Sequence, residues 1–394
     1  MQILEFSSID EIRSQMQKIG CDPAGINIMK EKALIRAIKL PGVSVKAALI
    51  LKQEMLSLGG DAANHRETIS GKIDKTDILL LGTPAHYKQL ERKLSGQPFG
   101  LAEIGKQLAA RLALYQTIPP AINLPSGKTL RFDKPLLMGI LNCTPDSFSD
   151  GGQFLDPDRA ADHAHQMVSD GALIIDAGGE SSRPGADPVS EAEELKRVIP
   201  VVSRIADTAI VSIDTYKAAI AEQALTKGAQ IINDITALQG DPRMAEVAAE
   251  AGCPVVLMHM RGTPQAMQDA PEYDDIMAEL ISFFEERISF AVKSGIKESN
   301  IIIDPGIGFG KTTEHNLAIL NHLEQLKIFG RPVLLGASRK SVIGNVLGLP
   351  PGERLSGDIA TVCFGIHKNV NIIRVHDVKE IARAVKMTTA ILST

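Results

Sequence analysis

The sequence has few cysteines, no excess of basic residues and no long hydrophobic run, and each absence excludes a class of protein. Its four cysteines lie far apart and form no CxxC pair, which argues against a disulfide framework and a structural zinc site. A formal net charge of -5 provides no general electrostatic field for nucleic acid. No apolar run approaches the length of a membrane span. We therefore expect small-molecule partners rather than nucleic acid or a membrane.

The N-terminal segment "MQILEFSSIDEIRSQ" does not match a secretory signal, because it has early acidic residues and neither a basic start nor a long apolar stretch. With 44% hydrophobic and 23% charged residues, the composition is that of an ordinary globular protein. The triplet Asn142-Cys143-Thr144 matches a glycosylation sequon, but that modification requires a secretory compartment. We predict a cytoplasmic protein with free thiols.

The chain has two regions with different sequence patterns. A length of 394 residues exceeds the usual size of one domain. In "YQTIPPAINLPSGKTLRFDKP", Pro119-Pro120 and the Pro-Ser-Gly turn at 125–127 break the preceding helical pattern. We predict a small α/β domain over residues 1–117 and a second domain over residues 118–394. The first domain shows no recognisable chemistry, so its role stays open between assembly, stabilisation and no part in catalysis.

Short apolar runs alternate with helical patterns in the second region. The predicted strands are "LLMGIL", "ALIIDAG", "AIVSID", "QIIND", "PVVLMHM", "NIIIDPG", "PVLLGAS" and "NIIRVHD". Eight apolar strands alternating with helices predict a closed (β/α)₈ TIM barrel. A doubly wound open sheet is the competing architecture. The barrel is favoured because polar clusters follow nearly all the strands, whereas an open sheet gathers its ligand groups near one switch point.

Polar residues occur at the carboxyl end of each predicted strand, which in a barrel is the rim where active sites form. They are Asn142, Asp176, Asp214, Asn233, Asp234, His259, Asp304, Ser338, Arg339, Lys340, Arg374 and His376. Taken singly, Asp176, Asp234 and His259 are typical of helix caps or turns. Capping does not explain the whole set. Arg374 and His376 are two apart on a strand and point to the same side, as a phosphate clamp requires.

Two loop segments carry further candidate groups. "DPGIGFGKT" is not a nucleotide-binding P-loop, because Pro305 stands where that motif needs glycine. Its glycines allow close approach of the backbone to a ligand, and Phe309 can pack on a flat ring. Lys311 is expected to belong to the loop or to the start of the next helix rather than to bind a nucleotide. In "GESSRPGAD", Arg183 is either a surface partner of Glu180 or an oxyanion ligand, and composition alone does not choose between the two.

Taken together, the segments from about Lys134 to the end resemble dihydropteroate synthase of the folate pathway. The matching stretches are "MGILNCTPDSFSDGG", "IIDAGGESSRPGA", "SIDTYKAAIAEQAL", "IINDI", "LMHMRGTPQAMQ", "IIIDPGIGFGKTTEHN", "LLGASRKSVIG" and "IIRVHDV". The resemblance implies a TIM barrel that joins 6-hydroxymethyl-7,8-dihydropterin diphosphate to p-aminobenzoate with Mg²⁺. It also implies a homodimer and a target of sulfonamides.

The resemblance assigns roles by position. It implies a pterin pocket of Asp214, Asn233, Asp304 and Lys340. It implies diphosphate binding by Asn142, Arg374 and His376, with Asn142 near the Mg²⁺, and an aminobenzoate side shaped by Ser182, Arg183, Phe309 and Ser338. The implied reaction is dissociative: diphosphate leaves first, and the amine attacks a pterin methylene cation. Asp214, Lys340, Arg374 and His376 are the predicted catalytic residues, with Asp214 and Asp304 facing the cation.

Two loops are expected to close over the substrates and exclude water, namely "NCTPDSFSDGG" (142–152) and "GESSRPGAD". Ser182 stands where the family commonly has Thr, which keeps the hydroxyl and removes a methyl contact. Cys143 replaces a commonly aliphatic residue and is expected to pack as a small apolar side chain. The alternatives are a pterin-binding methyltransferase that uses methyl-tetrahydrofolate and a non-catalytic pterin-binding relative.

Overall fold

The structure is a computed structural model that describes residues 1–144, 156–181, 188–262 and 271–393. The chain divides into two compact units, Met1–Thr117 and Ile118–Thr394. The division falls at the Pro-rich segment that separates the two predicted domains. Over the described ranges, no helix is both long enough and apolar enough to cross a membrane.

The first unit is a small α/β domain built on a three-stranded antiparallel sheet in the order β1-β3-β2. Its strands are β1 (Arg36–Ser44), β2 (Asp61–Asn64) and β3 (Lys75–Gly82). Its helices are α1 (Ile9–Ile19), α2 (Pro23–Met29), α3 (Val45–Ser57), α4 (Pro84–Leu94) and α5 (Leu101–Tyr115), with short 3₁₀ helices at Lys30–Lys32 and Arg66–Thr68. The predicted α/β character is confirmed.

One face of this sheet forms the core of the first unit. Alternate residues of β3 are buried, and among them Ile78 and Leu80 pack in one cluster with Leu51 and Met55 of α3. Burial of each such side chain contributes about 1.5–3 kcal/mol. Tyr87 is also buried, and its hydroxyl donates to the carbonyl oxygen of Leu80 at 3.0 Å, so the ring adds apolar area without an unpaired polar atom.

The second unit contains eight parallel strands in the order β11-β10-β9-β8-β7-β6-β13-β12. They are β6 (Leu136–Asn142), β7 (Ile174–Gly178), β8 (Ile210–Asp214), β9 (Ile231–Asp234), β10 (Val255–Met258), β11 (Ile301–Asp304), β12 (Leu334–Leu335) and β13 (Ile372–Val375). A parallel bridge between Ile303 and Val333 joins the two ends of this order. The sheet therefore closes into the predicted barrel, and the open-sheet alternative was wrong.

Helices lie between the strands and cover the outer face of the barrel. They are α6 (Pro157–Ser169), α7 (Glu191–Ile205), α8 (Ala218–Thr226), α9 (Met244–Ala251), α10 (Ile276–Lys293), α11 (Thr313–Asn321), α12 (Ser341–Leu347), α13 (Leu355–His367) and α14 (Val378–Leu392), with 3₁₀ helices at Glu298–Asn300, Leu323–Phe329 and Pro351–Glu353. Side chains of Asp156, Ser190 and Asp275 accept backbone N–H groups at the first turns of α6, α7 and α10. These caps fix where the helices begin.

The period of two along each strand separates an outer layer from an inner one. On β7, for example, Ile175 packs with the helices, while Ile174 packs inside the barrel. A hairpin of β4 (Ile122–Asn123) and β5 (Thr129–Leu130) contributes to the inner cluster and packs against the first inward residue of each strand. The amino-terminal end of the barrel is thus filled with apolar side chains, and only the carboxyl end is left for polar groups.

Candidate active site

The centre of the site is one guanidinium shared by two carboxylates. Arg374 on β13 donates from Nε to Oδ2 of Asp176 on β7 and from Nη2 to Oδ2 of Asp214 on β8, each at 2.6 Å. Asp176 is fully buried and the Arg374 side chain is 18% exposed. Burial acts to lower the pKa of Arg374, but the two carboxylates raise it overall. Arg374 is therefore a fixed positive charge inside the mouth of the barrel.

Asn233 on β9 extends this network. Its Nδ2 donates to Oδ2 of Asp176 at 2.9 Å, which sets the orientation of the amide. Within the described part of the chain, Oδ1 of Asp176 and Oγ of Ser212 are buried without a hydrogen-bond partner. Buried polar atoms are normally satisfied, so these two give the interior of the barrel a capacity to hydrogen-bond a polar molecule.

Asp304 stands at the end of β11 and is almost completely buried. Its Oδ1 accepts the backbone N–H of Gly306 at 2.7 Å. Burial raises the pKa of Asp304 to about 6, against the opposing effects of that N–H and of Arg374. Burial likewise raises the pKa of Asp214 to about 7, and Arg374 again opposes the rise. Both carboxyl groups therefore change charge close to neutral pH, which is common at functional sites.

Lys340 and Phe309 form one wall of the site. The Lys340 ammonium lies 3.9 Å from the centroid of the Phe309 ring, in the geometry of a cation–π contact. Phe309 is buried with Ile235 and Met258. Gly308 has a φ of 83°, and a Cβ atom there would stand 3.1 Å from Cδ of Lys340. The loop after β11 therefore approaches the lysine closely because it carries glycine at this position.

Lys311 holds that loop from behind. Its buried ammonium donates to the carbonyl oxygens of Gly306 and Phe309 at 2.9 Å, to that of His259 at 3.2 Å, and lies 2.9 Å from Nδ1 of His259. Burial lowers the pKa of Lys311 to about 7. The pKa of His259 is lowered to about 2, mainly by burial and to a smaller extent by the positive charge of Lys311. His259 therefore stays neutral, and both residues fix the backbone around Phe309.

His376 lies one residue beyond the end of β13, two positions after Arg374. Its Nδ1 lies 3.1 Å from Oγ of Ser338, and its backbone N–H donates to the same hydroxyl at 3.3 Å. Burial lowers the pKa of His376 to about 4, and the charges of Arg374 and Arg339 act in the same direction. Near neutral pH the imidazole is neutral until an anion arrives to favour its protonated form.

The remaining predicted residues fall into two groups. Asn142 ends β6 with an exposed side chain at the same rim. Ser182 and Arg183 lie outside the described residues, as do 145–152 of the first predicted loop and 182–187 of the second. In the part of the chain that the structure covers, no group of three or more His, Cys, Asp or Glu side chains is placed to hold a metal ion.

The interpretation as a helix cap or turn residue is confirmed for Asp234 and wrong for Asp176. Asp234 accepts the backbone N–H groups of Thr236 and Leu238, which confirms its role in a turn. Asp176 caps no helix and is instead the shared acceptor beneath the site, so the capping interpretation was wrong for this residue. The sequence "IID" could have indicated the buried position of Asp176, because Ile174 and Asp176 share one face of a strand that is buried on both faces.

The contacts of Lys217, a partly buried lysine after β8, were not predicted. Lys217 donates to Glu180 at 2.5 Å, and to Glu194 and the carbonyl oxygen of Val189 at 2.6 Å. These contacts connect the segment after β7 to the segment before α7. Nothing in the sequence indicates them, because "TYKA" is typical of the solvated start of a helix.

The chain belongs to the family of pterin binding enzymes, which its residues 138–376 match. The dihydropteroate synthase of Bacillus subtilis (strain 168) is 54% identical over 265 residues, covering 66% of this chain and 90% of that protein. A crystal structure of Yersinia pestis dihydropteroate synthase with a sulfonamide drug complex has a TM-score of 0.67 and 46% identity, covering 70% of this chain and 100% of that one.

Another relative extends over both units. A probable bifunctional folylpolyglutamate synthase/dihydropteroate synthase of Halobacterium salinarum is 39% identical over 388 residues. The match covers 98% of this chain and 46% of that protein. The first unit is therefore shared with at least one relative, although its sequence shows no recognisable chemistry.

Proposed function

We propose that this protein is a dihydropteroate synthase, which condenses 6-hydroxymethyl-7,8-dihydropterin diphosphate with p-aminobenzoate to give 7,8-dihydropteroate and diphosphate. The observation that carries the proposal is the meeting of Asp214, Asp304, Lys340 and Arg374 at one end of a barrel. Arg374 donates to Asp214 at 2.6 Å, and a Cβ atom at Gly336 would lie 3.7 Å from Oδ2 of Asp304 and 3.8 Å from Cδ of Arg374. The positive charges of Arg374 and Lys340 oppose the rise in the pKa of both carboxyl groups, as expected for four groups in one site. The similarity to named dihydropteroate synthases supports the same conclusion.

The pterin is assigned to the buried side of this site. Its amino-pyrimidine edge carries N–H donors, and Asp304 and Asn233 supply buried acceptors for such an edge. Lys340 can donate to the pterin carbonyl. Arg374 cannot leave its two carboxylates without exposing them unpaired, so we infer that it presents a fixed flat face to the ring.

The diphosphate is assigned to the outer side, with Asn142, Arg374 and His376. Mg²⁺ commonly keeps several waters and binds through one or two protein oxygens together with substrate phosphates. The exposed amide of Asn142 fits that mode. Bound there, Mg²⁺ would supply charge neutralisation for the diphosphate.

Opposite charges then develop on the two sides of the breaking bond. The C–O bond to diphosphate breaks, its electron pair leaves with the phosphate oxygen, and the pterin methylene carbon becomes positive. Asp214 and Asp304 in their charged forms stabilise the cation, while Arg374 and a protonated His376 stabilise the anion. The amine of p-aminobenzoate adds to the carbon and loses a proton. The buried floor of the site keeps water from competing there.

The aminobenzoate is assigned to the wall beside Phe309 and Ser338. Phe309 offers the edge of a buried ring, held by the Lys311 contacts. The Ser338 hydroxyl is already engaged by His376, so we infer that this residue contributes mainly through its backbone. Ser182 and Arg183 keep the role that the family resemblance implies for them.

The test is diphosphate release by the full chain with the pterin diphosphate and Mg²⁺, with and without p-aminobenzoate. A synthase forms dihydropteroate only when the amine is present, and the amine should raise the steady rate of diphosphate release because it consumes the cation. Asp304→Asn should lower kcat/KM roughly a hundredfold or more, because it removes a preorganised charge from the transition state. Methyl transfer from methyl-tetrahydrofolate without diphosphate release would favour the methyltransferase. Tight pterin binding without turnover would favour a non-catalytic relative.

Two further features are proposed from the family resemblance alone, namely a cytoplasmic location and a homodimer. Light scattering of the purified chain tests the second. A mass of twice 42.3 kDa is expected, and a monomer at micromolar concentration would refute it.

A further inference from the structure

A buried carboxylate stands behind the histidine of the site. Asp358 on α13 is 1% exposed. Its Oδ2 lies 3.1 Å from Oγ of Ser338, and its Oδ1 accepts the backbone N–H of Arg339 at 2.9 Å. Since Ser338 also contacts His376, the three side chains form one chain of hydrogen bonds, Asp358–Ser338–His376.

The direction of each bond follows from the donors available. A carboxylate only accepts, so the single hydroxyl proton of Ser338 points to Asp358. The two lone pairs of Oγ then remain for the backbone N–H and for Nδ1 of His376. A lone pair can bind Nδ1 only if Nδ1 carries a proton. In neutral His376 the other nitrogen, Nε2, must therefore be the unprotonated one.

The groups around His376 do not supply another partner that would reverse this assignment. Arg374, Arg339 and Lys340 are cations, and they disfavour the protonated ring without selecting one nitrogen. Asp377 is the nearby acid, but it is bound by Arg339 through two contacts of 2.5 and 3.0 Å. Among the described contacts, the tautomer of His376 depends on Ser338, and the direction of the Ser338 hydroxyl depends on Asp358.

We propose that Asp358 is a positioning residue that holds His376 in the Nδ1–H form, so that Nε2 is free to accept a proton or hydrogen bond from the diphosphate group. The consequence for turnover rests on the proposed function. A phosphate oxygen that arrives protonated donates to Nε2 or transfers its proton there, and the resulting imidazolium faces the anion. No bond in the chain to Asp358 has to rearrange during this step.

The direct readout is the ¹⁵N spectrum of the histidine rings in the full chain. It is recorded at about pH 7.5, where a histidine with a lowered pKa is neutral and one of its ring nitrogens carries the single proton. Protonated and unprotonated ring nitrogens differ widely in ¹⁵N shift, and the signal absent from His376→Gln identifies the residue. We expect an unprotonated Nε2 and a protonated Nδ1. A protonated Nε2 in the unmodified chain would overturn the proposal.

Asp358→Asn is the informative variant because it should reverse the tautomer. The Arg339 N–H still needs an acceptor, so the amide oxygen faces Arg339 and the amide nitrogen faces Ser338. That nitrogen donates to Oγ, the hydroxyl proton turns to Nδ1, and the proton of the neutral ring moves to Nε2. Asp377→Asn is the matched control, because it removes one negative charge near His376 without touching Ser338. The control should keep the protonated Nδ1.

Measurements of kcat and KM separate this positioning role from a purely structural one. Asp358→Asn should lower kcat for diphosphate release roughly tenfold or more, as is typical for groups that orient a functional side chain, with KM for p-aminobenzoate nearly unchanged. If Asp358→Asn does not fold, Ser338→Ala serves instead, and retention of a fully protonated Nδ1 there would overturn the proposal. The tautomer of His376 is read from the ¹⁵N spectrum without turnover. An unmodified enzyme without activity would therefore refute the proposed function, while the spectrum would still test the hydrogen-bond chain.

Discussion

Replacing Arg374 with methionine would leave two carboxylates inside the barrel without their shared cation. Asp176 is fully buried and the Asp214 side chain is 16% exposed, so water cannot readily replace the guanidinium. Removing one partner of a buried ion pair costs about 3–5 kcal/mol. At about 2–4 °C per kcal/mol, the melting temperature of the barrel should fall by about 6–20 °C.

The loss should depend on pH in a defined direction. Arg374 opposes the rise in the pKa of Asp214, so its removal raises that pKa above about 7. A carboxyl group with a raised folded-state pKa stabilises the fold when it is protonated, and this contribution is lost as the pH rises through the folded pKa. Arg374→Met should therefore be more destabilising at about pH 8.5 than at about pH 6.

The assay is hydrogen exchange of the β7 and β13 amides, which reports on the barrel separately from the first unit. Arg204→Met is the matched control. Arg204 also contacts a carboxylate at 2.6 Å, but its partner Asp158 is 78% exposed, and such a surface pair contributes at most about 1 kcal/mol. An Arg374→Met variant no less stable than Arg204→Met at high pH would refute the reasoning.

Three further outcomes follow from the site. Gly306→Ala should cost about 3 kcal/mol or more in the free energy of unfolding, because its φ is 66° and the new Cβ would collide with the backbone carbonyl oxygen of His259. Gly348→Ala, with a φ of 68° and open space, should cost only about 1 kcal/mol, and equal losses in urea unfolding would contradict this account. Phe309→Leu removes the ring on the wall assigned to p-aminobenzoate and should weaken p-aminobenzoate binding roughly 2- to 13-fold by calorimetry, for an aromatic contact worth about 0.5–1.5 kcal/mol. Pterin affinity should fall as the pH drops below about 6, where Asp304 becomes protonated, and the same profile in Asp304→Asn would disprove that role.

The sequence was sufficient to predict the barrel and its rim. Its strands are short apolar runs, and the carboxyl ends of parallel strands must meet at one end of the sheet. The positions of Asp214, Asp304 and His376 at strand ends followed from this rule. The final closure rests on one bridge between Ile303 and Val333, a contact that depends on the stagger of the whole sheet rather than on local sequence.

Pairing inside the site could not be predicted in the same way. Arg374 meets Asp176 across 198 positions of the chain, and only the register of the strands brings them together. Asp358 lies in a helix, where an acidic residue is typical of a solvated face. Lys311 follows a glycine-rich loop, where a lysine is typically exposed. Each is buried with partners from distant segments, which local patterns do not encode.

A crystal structure of the full chain with a non-hydrolysable pterin diphosphate analogue would show directly where the pterin and the diphosphate bind. We expect the ring donors to lie against Asp304 and Asn233, the Lys340 ammonium at the ring carbonyl and the phosphate oxygens beside His376. A pterin bound anywhere else in the chain, or a diphosphate group on the far side of Asp304 from His376, would contradict this expectation.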